Sequence, residues 1–76
     1  MPTVLILDGL RVAIYPNDHP PAHVHVLGPG WSVVINIHVM EVRTVVRCSE
    51  RDARRAVGIV AANKAALIEA WRRIHG

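Results

Sequence analysis

Aromatic residues and cysteine are scarce in this chain, and each scarcity excludes something. Phenylalanine is missing, and aromatic residues make up only 4% of the sequence. The core must therefore be aliphatic, built from Val, Ile, Leu and Ala. The single Cys48 rules out an intramolecular disulfide framework and fits a reducing compartment. Lysine is nearly missing too: Lys64 stands alone, and eight of the nine basic residues are arginine. No apolar run approaches a membrane span, and the first residues lack the basic region and cleavage site of a leader. A cytoplasmic location without a membrane partner is the expectation. No repeat, low-complexity tract or linker divides the chain, so residues 1–76 are expected to form one domain.

Apolar residues, in contrast, reach 51%. That is too many for a disordered chain. A domain this small has little interior to hide them in, so some apolar surface is expected to meet a partner or a second copy, making a homo-oligomer. The formal charge is +3. Arginine suits bidentate contact with phosphate or carboxylate. "RDARR" offers Arg51, Arg54 and Arg55 as a candidate nucleic-acid surface, for RNA or DNA. The plainer alternative is a solvated helix face.

Alternation of apolar residues predicts the strands. "TVLIL" (Thr3 to Leu7) reads as one, Asp8-Gly9 as a tight turn, and "RVAIY" (Arg11 to Tyr15) as the return strand. Pro16, Pro20 and Pro21 keep the next segment out of a ladder. "HVHVL" (His23 to Leu27) alternates cleanly. After the Gly28-Pro29-Gly30 turn, "WSVVINIHV" (Trp31 to Val39) alternates again, with Trp31, Val33, Ile35, Ile37 and Val39 on one face. "MEVRTVVRC" either extends this strand or forms another after a bend. Ser49 with Asp52 makes a capping box, which starts a helix. Ala53, Val57, Val60, Leu67, Trp71 and Ile74 recur at helical spacing as its buried stripe. The helix runs to His75, with Gly58 and Asn63 as the weak points for a kink or a break. The expected fold is α+β: an antiparallel sheet of three to five strands packed on one long C-terminal helix, kinked or straight.

Register then organises the histidines. Apolar faces must meet across the strand pair, and pairing Leu27 with Ser32 achieves this. Val26 faces Val33, Val24 faces Ile35, His25 faces Val34 and His23 faces Asn36. The helix is expected on the valine face. His23 and His25 then share the other face, with His38 diagonal to His23. Asp18 and His19 enter at the same end, held by Pro20-Pro21. Val34 and Met40 leave an apolar strip on that side.

Three readings fit this cluster. His19, His23, His25 and His38 are candidate ligands for a divalent transition metal, since H-x-H on a strand with a third imidazole is a common metal arrangement. His23 and His25 are alternatively candidate acid–base residues, with Asp18 beside them. The third reading is ordinary polar sheet surface.

The same residues carry a resemblance. The opening Met1 to Val4, the D-G-x-R-V turn at Asp8 to Val12, the N-D-H-x-P-x-H-V-H-V run at Asn17 to Val26, and the W-x-x-I-H-G ending at Trp71 to Gly76 resemble the small bacterial domain-of-unknown-function family 4160. Asp18, His19, His23 and His25 match its most specific motif. The segment from Trp31 to Cys48 departs from the family pattern. The resemblance implies a small protein of toxin–antitoxin type, acting through a cognate small protein encoded nearby and through nucleic acid. The alternative expectation is a histidine-based hydrolase, RNA-directed or metal-dependent.

Overall fold

Each strand of the sheet pairs with its neighbour in sequence. The structure, a computed structural model describing residues 3–76, has one antiparallel five-stranded sheet in the order β1-β2-β3-β4-β5. Met1 and Pro2 of the opening motif lie outside the described residues. β1 (Thr3–Leu7) and β2 (Leu10–Ala13) flank Asp8 and Gly9, whose φ values of 53° and 78° are both positive. A type I′ hairpin requires that sign at both positions, which is why Asp-Gly sits there.

β3 (His23–Gly28) and β4 (Trp31–Asn36) pair in the expected register, from His23 opposite Asn36 to Leu27 opposite Ser32. Val24, Val26, Val33 and Ile35 are all 0% exposed and meet the helices. At the turn, the Trp31 indole covers Gly28, where a Cβ would collide with the ring. Gly28→Ala is therefore expected to dislodge Trp31 and cost about 1–3 kcal/mol. A lower urea midpoint with a red-shifted tryptophan emission would record it; an unchanged midpoint would show that the indole moves aside freely.

Three expectations need correction. First, β4 stops at Asn36 rather than running to Val39. The Asn36 side-chain oxygen accepts the backbone amides of His38 (2.9 Å) and Val39 (3.1 Å), a local turn that outcompetes the ladder. Met40, at φ 55°, completes the reversal. Ile37 stays buried, whereas Val39 is turned out to solvent. Met40 packs against the core cluster, so no Val34–Met40 strip forms.

β5 (Glu41–Val46) is then a separate strand. Its pairing jumps from Val34–Thr44 to Ile35–Val42. Arg43 is the extra residue of a β-bulge. The bulge sets Val42 and Val45 opposite the core residues Ile35 and Val33 despite their odd spacing.

Second, the C-terminal segment is two helices, α1 (Glu50–Ala62) and α2 (Lys64–His75), instead of one long helix. Ser49 caps α1 as expected, its hydroxyl accepting the Asp52 amide at 3.0 Å. The break falls at Asn63, with φ −118° and ψ 19°. Its side-chain amide donates to the Ile59 carbonyl at 2.8 Å and its backbone N–H donates to Val60. Asparagine leaves the helix readily because its side chain offers the backbone such an alternative.

Third, the break resets the buried stripe. Leu67, Ala70 and Trp71 are buried on α2, while Ile74 is exposed; on α1 the buried positions are Ala56, Ile59 and Val60, with Ala53 and Val57 half-buried. No helix among the described residues is long and apolar enough to cross a membrane.

Candidate metal centre

Strand pairing lays one row of residues across the sheet on the face opposite the core valines: Ala13 of β2, His25 of β3, Val34 of β4 and Thr44 of β5. His23, two residues before His25, shares that face. The segment between β2 and β3 folds over this row. Its anchor is Asp18. The Asp18 amide donates to the Tyr15 carbonyl at 3.0 Å, and the Asp18 carboxylate accepts the Tyr15 amide at 3.0 Å. This reciprocal pair fixes the carboxylate over the two histidines. Asp18 Oδ2 lies 3.1 Å from His25 Nε2 and 3.5 Å from His23 Nε2. The side chains of Asp18, His23 and His25 are 14%, 13% and 24% exposed, so they are shielded yet reachable.

The proton positions follow from what each neighbour can do. His23 Nδ1 lies 2.9 Å from the Pro21 carbonyl, which can only accept, so Nδ1 carries the proton. In the neutral ring, Nε2 is then a lone pair. It confronts a carboxylate oxygen across 3.5 Å with no hydrogen between them. Two lone pairs so placed repel unless a proton or a cation lies between them. A backbone carbonyl on the far nitrogen is also the usual support of a metal-bound imidazole.

The spacing fits a metal as well. Ligand atoms about 2.0–2.1 Å from a tetrahedral Zn²⁺ stand roughly 3.3–3.4 Å apart. The two Asp18–histidine separations bracket that edge, and the ligand atoms of all three residues lie within 4.8 Å of one another.

Burial pushes the Asp18 carboxyl up, but the Tyr15 amide and then the charges of His25 and His23 outweigh it. The group titrates below the ordinary carboxylate range. A carboxyl depressed by folding stabilises the protein above its unfolded pKa. That contribution is lost as pH falls through the folded value. In chelator-treated protein, Asp18→Asn is therefore expected to lower the urea midpoint at neutral pH. The gap from wild type should close on acidification below the ordinary carboxylate range. A gap that stays constant would show that charge is not what holds the loop.

Tyr15 sets its ring edge against His25, with centroids 4.7 Å apart. On the other side, His23 lies 5.3 Å from the Trp71 ring, which stacks on His75 at 3.9 Å. The imidazoles are thus clamped between rings from the β2–β3 segment and from α2.

The remaining candidates lie apart. His19 is exposed and lines the adjoining cleft, outside the ligand cluster. His38 sits in the turn after β4, removed from His23 by the Asn36-directed reversal; its carbonyl accepts Lys64 Nζ at 3.0 Å. Arg51, Arg54 and Arg55 are exposed on α1, a helix packed on the opposite face of the sheet. Arg54 pairs with Glu50 at 2.6 Å, and Arg55 donates to the Asp8 carbonyl at 2.8 Å. Burial and then the Asp52 charge push the Cys48 thiol up, which keeps it protonated and a poor nucleophile.

A cleft of about 400 Å³ opens beside the cluster, bounded by the Asn17–Pro21 segment on one side and by Val34, Arg43 and Thr44 on the other. Tyr15, Arg43 and Thr44 are the participants that strand alternation missed. The Tyr15–Asp18 spacing is a legible turn signal, since aspartate often bonds nearby backbone. Nothing in the alternation of β5 announces the Arg43 bulge.

Residues 9–72 match the family described as Domain of unknown function (DUF4160). The chain belongs to this family. The match to DUF4160 takes in Asp18, His23, His25, Arg43 and Thr44. No curated protein and no solved structure matches the chain.

Proposed function

We propose that this protein holds a divalent transition metal on Asp18, His23 and His25 and serves as a metal-dependent hydrolase. The observation that carries the reading is the His23 ring. Its Nδ1–H is committed to the Pro21 carbonyl, and its Nε2 faces Asp18 at ligand spacing. Three protein ligands beside an open cleft are the pattern of a catalytic metal site, whereas a structural site is closed by a fourth. A bound ion would supply Lewis acidity and lower the pKa of water at the cleft. Each ester bond cut consumes one water: its oxygen bonds to the electrophilic centre, the bond to the leaving oxygen breaks, and the water's proton ends on that leaving oxygen. His19, on the cleft rim and outside the ligand set, is the imidazole free to carry this proton.

The test is Co²⁺ added to chelator-treated protein. The intense visible bands of a low-coordinate site are expected, together with quenching of Trp71, whose ring lies 5.3 Å from His23. Turnover of a chromogenic phosphodiester should appear with the metal and vanish on chelation. A spectrum matching aqueous Co²⁺, with unchanged emission, would reject the reading.

A second reading has its own observation. Val42, Val45 and Val46 of the edge strand β5 are 36%, 50% and 48% exposed. A free strand edge with apolar side chains complements another copy of itself running antiparallel. We therefore propose self-association through β5, the assembly in which a toxin–antitoxin-type protein would meet its cognate small protein. Sedimentation equilibrium should give a dimer; a monomer at all concentrations would exclude it.

A further inference from the structure

We infer that Arg43 and Thr44 form the oxyanion-binding wall of the cleft, so that the ligand taken beside the metal is a phosphate ester. This rests on the metal reading above and adds the substrate class. In a regular strand, neighbouring residues point to opposite faces. Thr44, opposite Val34, belongs to the cleft face, and Arg43 would turn to the helix side. The bulge cancels that alternation, and both residues line the cleft. Bulges commonly re-aim a side chain in this way next to a functional site.

The guanidinium it delivers is free. Arg43, like Arg11, Arg47, Arg51 and Arg73, has no hydrogen bond or ion pair among the described residues, and of these it is the one that lines the cleft. Asp18 is the one carboxylate lining the cleft among the described residues. A divalent ion more than neutralises it, and Arg43 adds to the excess. A cleft with that charge favours an anion. A guanidinium fork and a metal lining one small cleft would suit a tetrahedral oxyanion, with oxygens shared between the two. The Thr44 hydroxyl adds a neutral donor. No Trp, Tyr or Phe lines the cleft, so the flat surfaces it offers a base are confined to imidazole and guanidinium. The phosphoryl group itself is what the cleft reads.

Inorganic phosphate is the first probe, titrated into Co²⁺-loaded protein and into metal-free protein. In the loaded wild type, phosphate should shift the visible bands. Arg43→Ala and Arg43→Gln should keep the Co²⁺ stoichiometry and the far-UV spectrum while weakening phosphate at least tenfold, roughly the loss of one charge-assisted contact. Loaded wild type that ignores phosphate, or Arg43 variants that bind it as wild type does, would overturn the inference while leaving the metal reading intact. If Co²⁺ is not taken up at all, the metal reading falls, and the metal-free titration decides the wall. Binding that Arg43→Ala abolishes upholds it, and no binding overturns it. Competition by methyl phosphate and by a short single-stranded RNA then separates the sources. Equal competition per phosphate assigns small esters, and stronger competition by RNA assigns a nucleic-acid backbone; competition by neither overturns the inference.

Discussion

His23→Ala is expected to weaken Zn²⁺ binding by at least about 100-fold while leaving the fold intact. Loss of a supporting contact alone typically costs about 10–100-fold, and here a ligand itself is removed. The alanine leaves Asp18 and His25 as an isolated pair, and a two-ligand site on a half-exposed sheet face competes poorly with water. His25→Ala should behave alike, because its Nε2 sits 3.1 Å from the same carboxylate oxygen. His19→Ala and His38→Ala should bind Zn²⁺ as wild type does, since neither residue belongs to the cluster. Calorimetric titration of the four variants separates the outcomes. Equal loss across all four would mean that exposed imidazoles bind metal indiscriminately.

On the other face of the same strands, the effect should reverse. Ile35→Ala removes a side chain that is 0% exposed and lies on β4 between Val24 of β3 and Val42 of β5. Such a truncation costs about 2–5 kcal/mol. A chain of this length holds only about 4–11 kcal/mol in total, at roughly 0.05–0.15 kcal/mol per residue. The variant should therefore lose a large share of its stability and unfold at much lower urea. Any change in its metal affinity should trace to the unfolded fraction. The contrast with His25→Ala, one position along the paired strand, tests the division of the sheet into a packing face and a chemical face. Comparable destabilisation by both would contradict that division.

That division was legible because strand alternation leaves only two choices of face here. Pairing the valines forced His23 and His25 to the far face, and the structure has that pairing residue for residue. Asp18 was legible as a neighbour, since Pro20 and Pro21 end the approach to β3. Its bond to the Tyr15 amide depends on a turn geometry that the spacing permits without requiring.

His38 was misplaced for a specific reason. Asn36 fits the alternation of a strand, yet its side chain does better bonding two amides beyond it, and that ends β4. The helix break has the same origin in Asn63. In both places a short polar side chain competes with the backbone pattern on nearly equal terms, and packing decides. The Arg43 bulge is harder still. Val42 and Val45 are odd-spaced, and only a partner strand already in place shows that both lie on the α1 side of the sheet, opposite Ile35 and Val33.

The most direct measurement is equilibrium dialysis of chelator-treated protein against buffered Zn²⁺, with bound metal counted per chain. The wild type should retain one tightly held ion. A variant carrying Asp18→Ala, His23→Ala and His25→Ala together, checked for its far-UV spectrum, should retain none. Wild type that holds no zinc, or a triple variant that holds as much, would contradict the account.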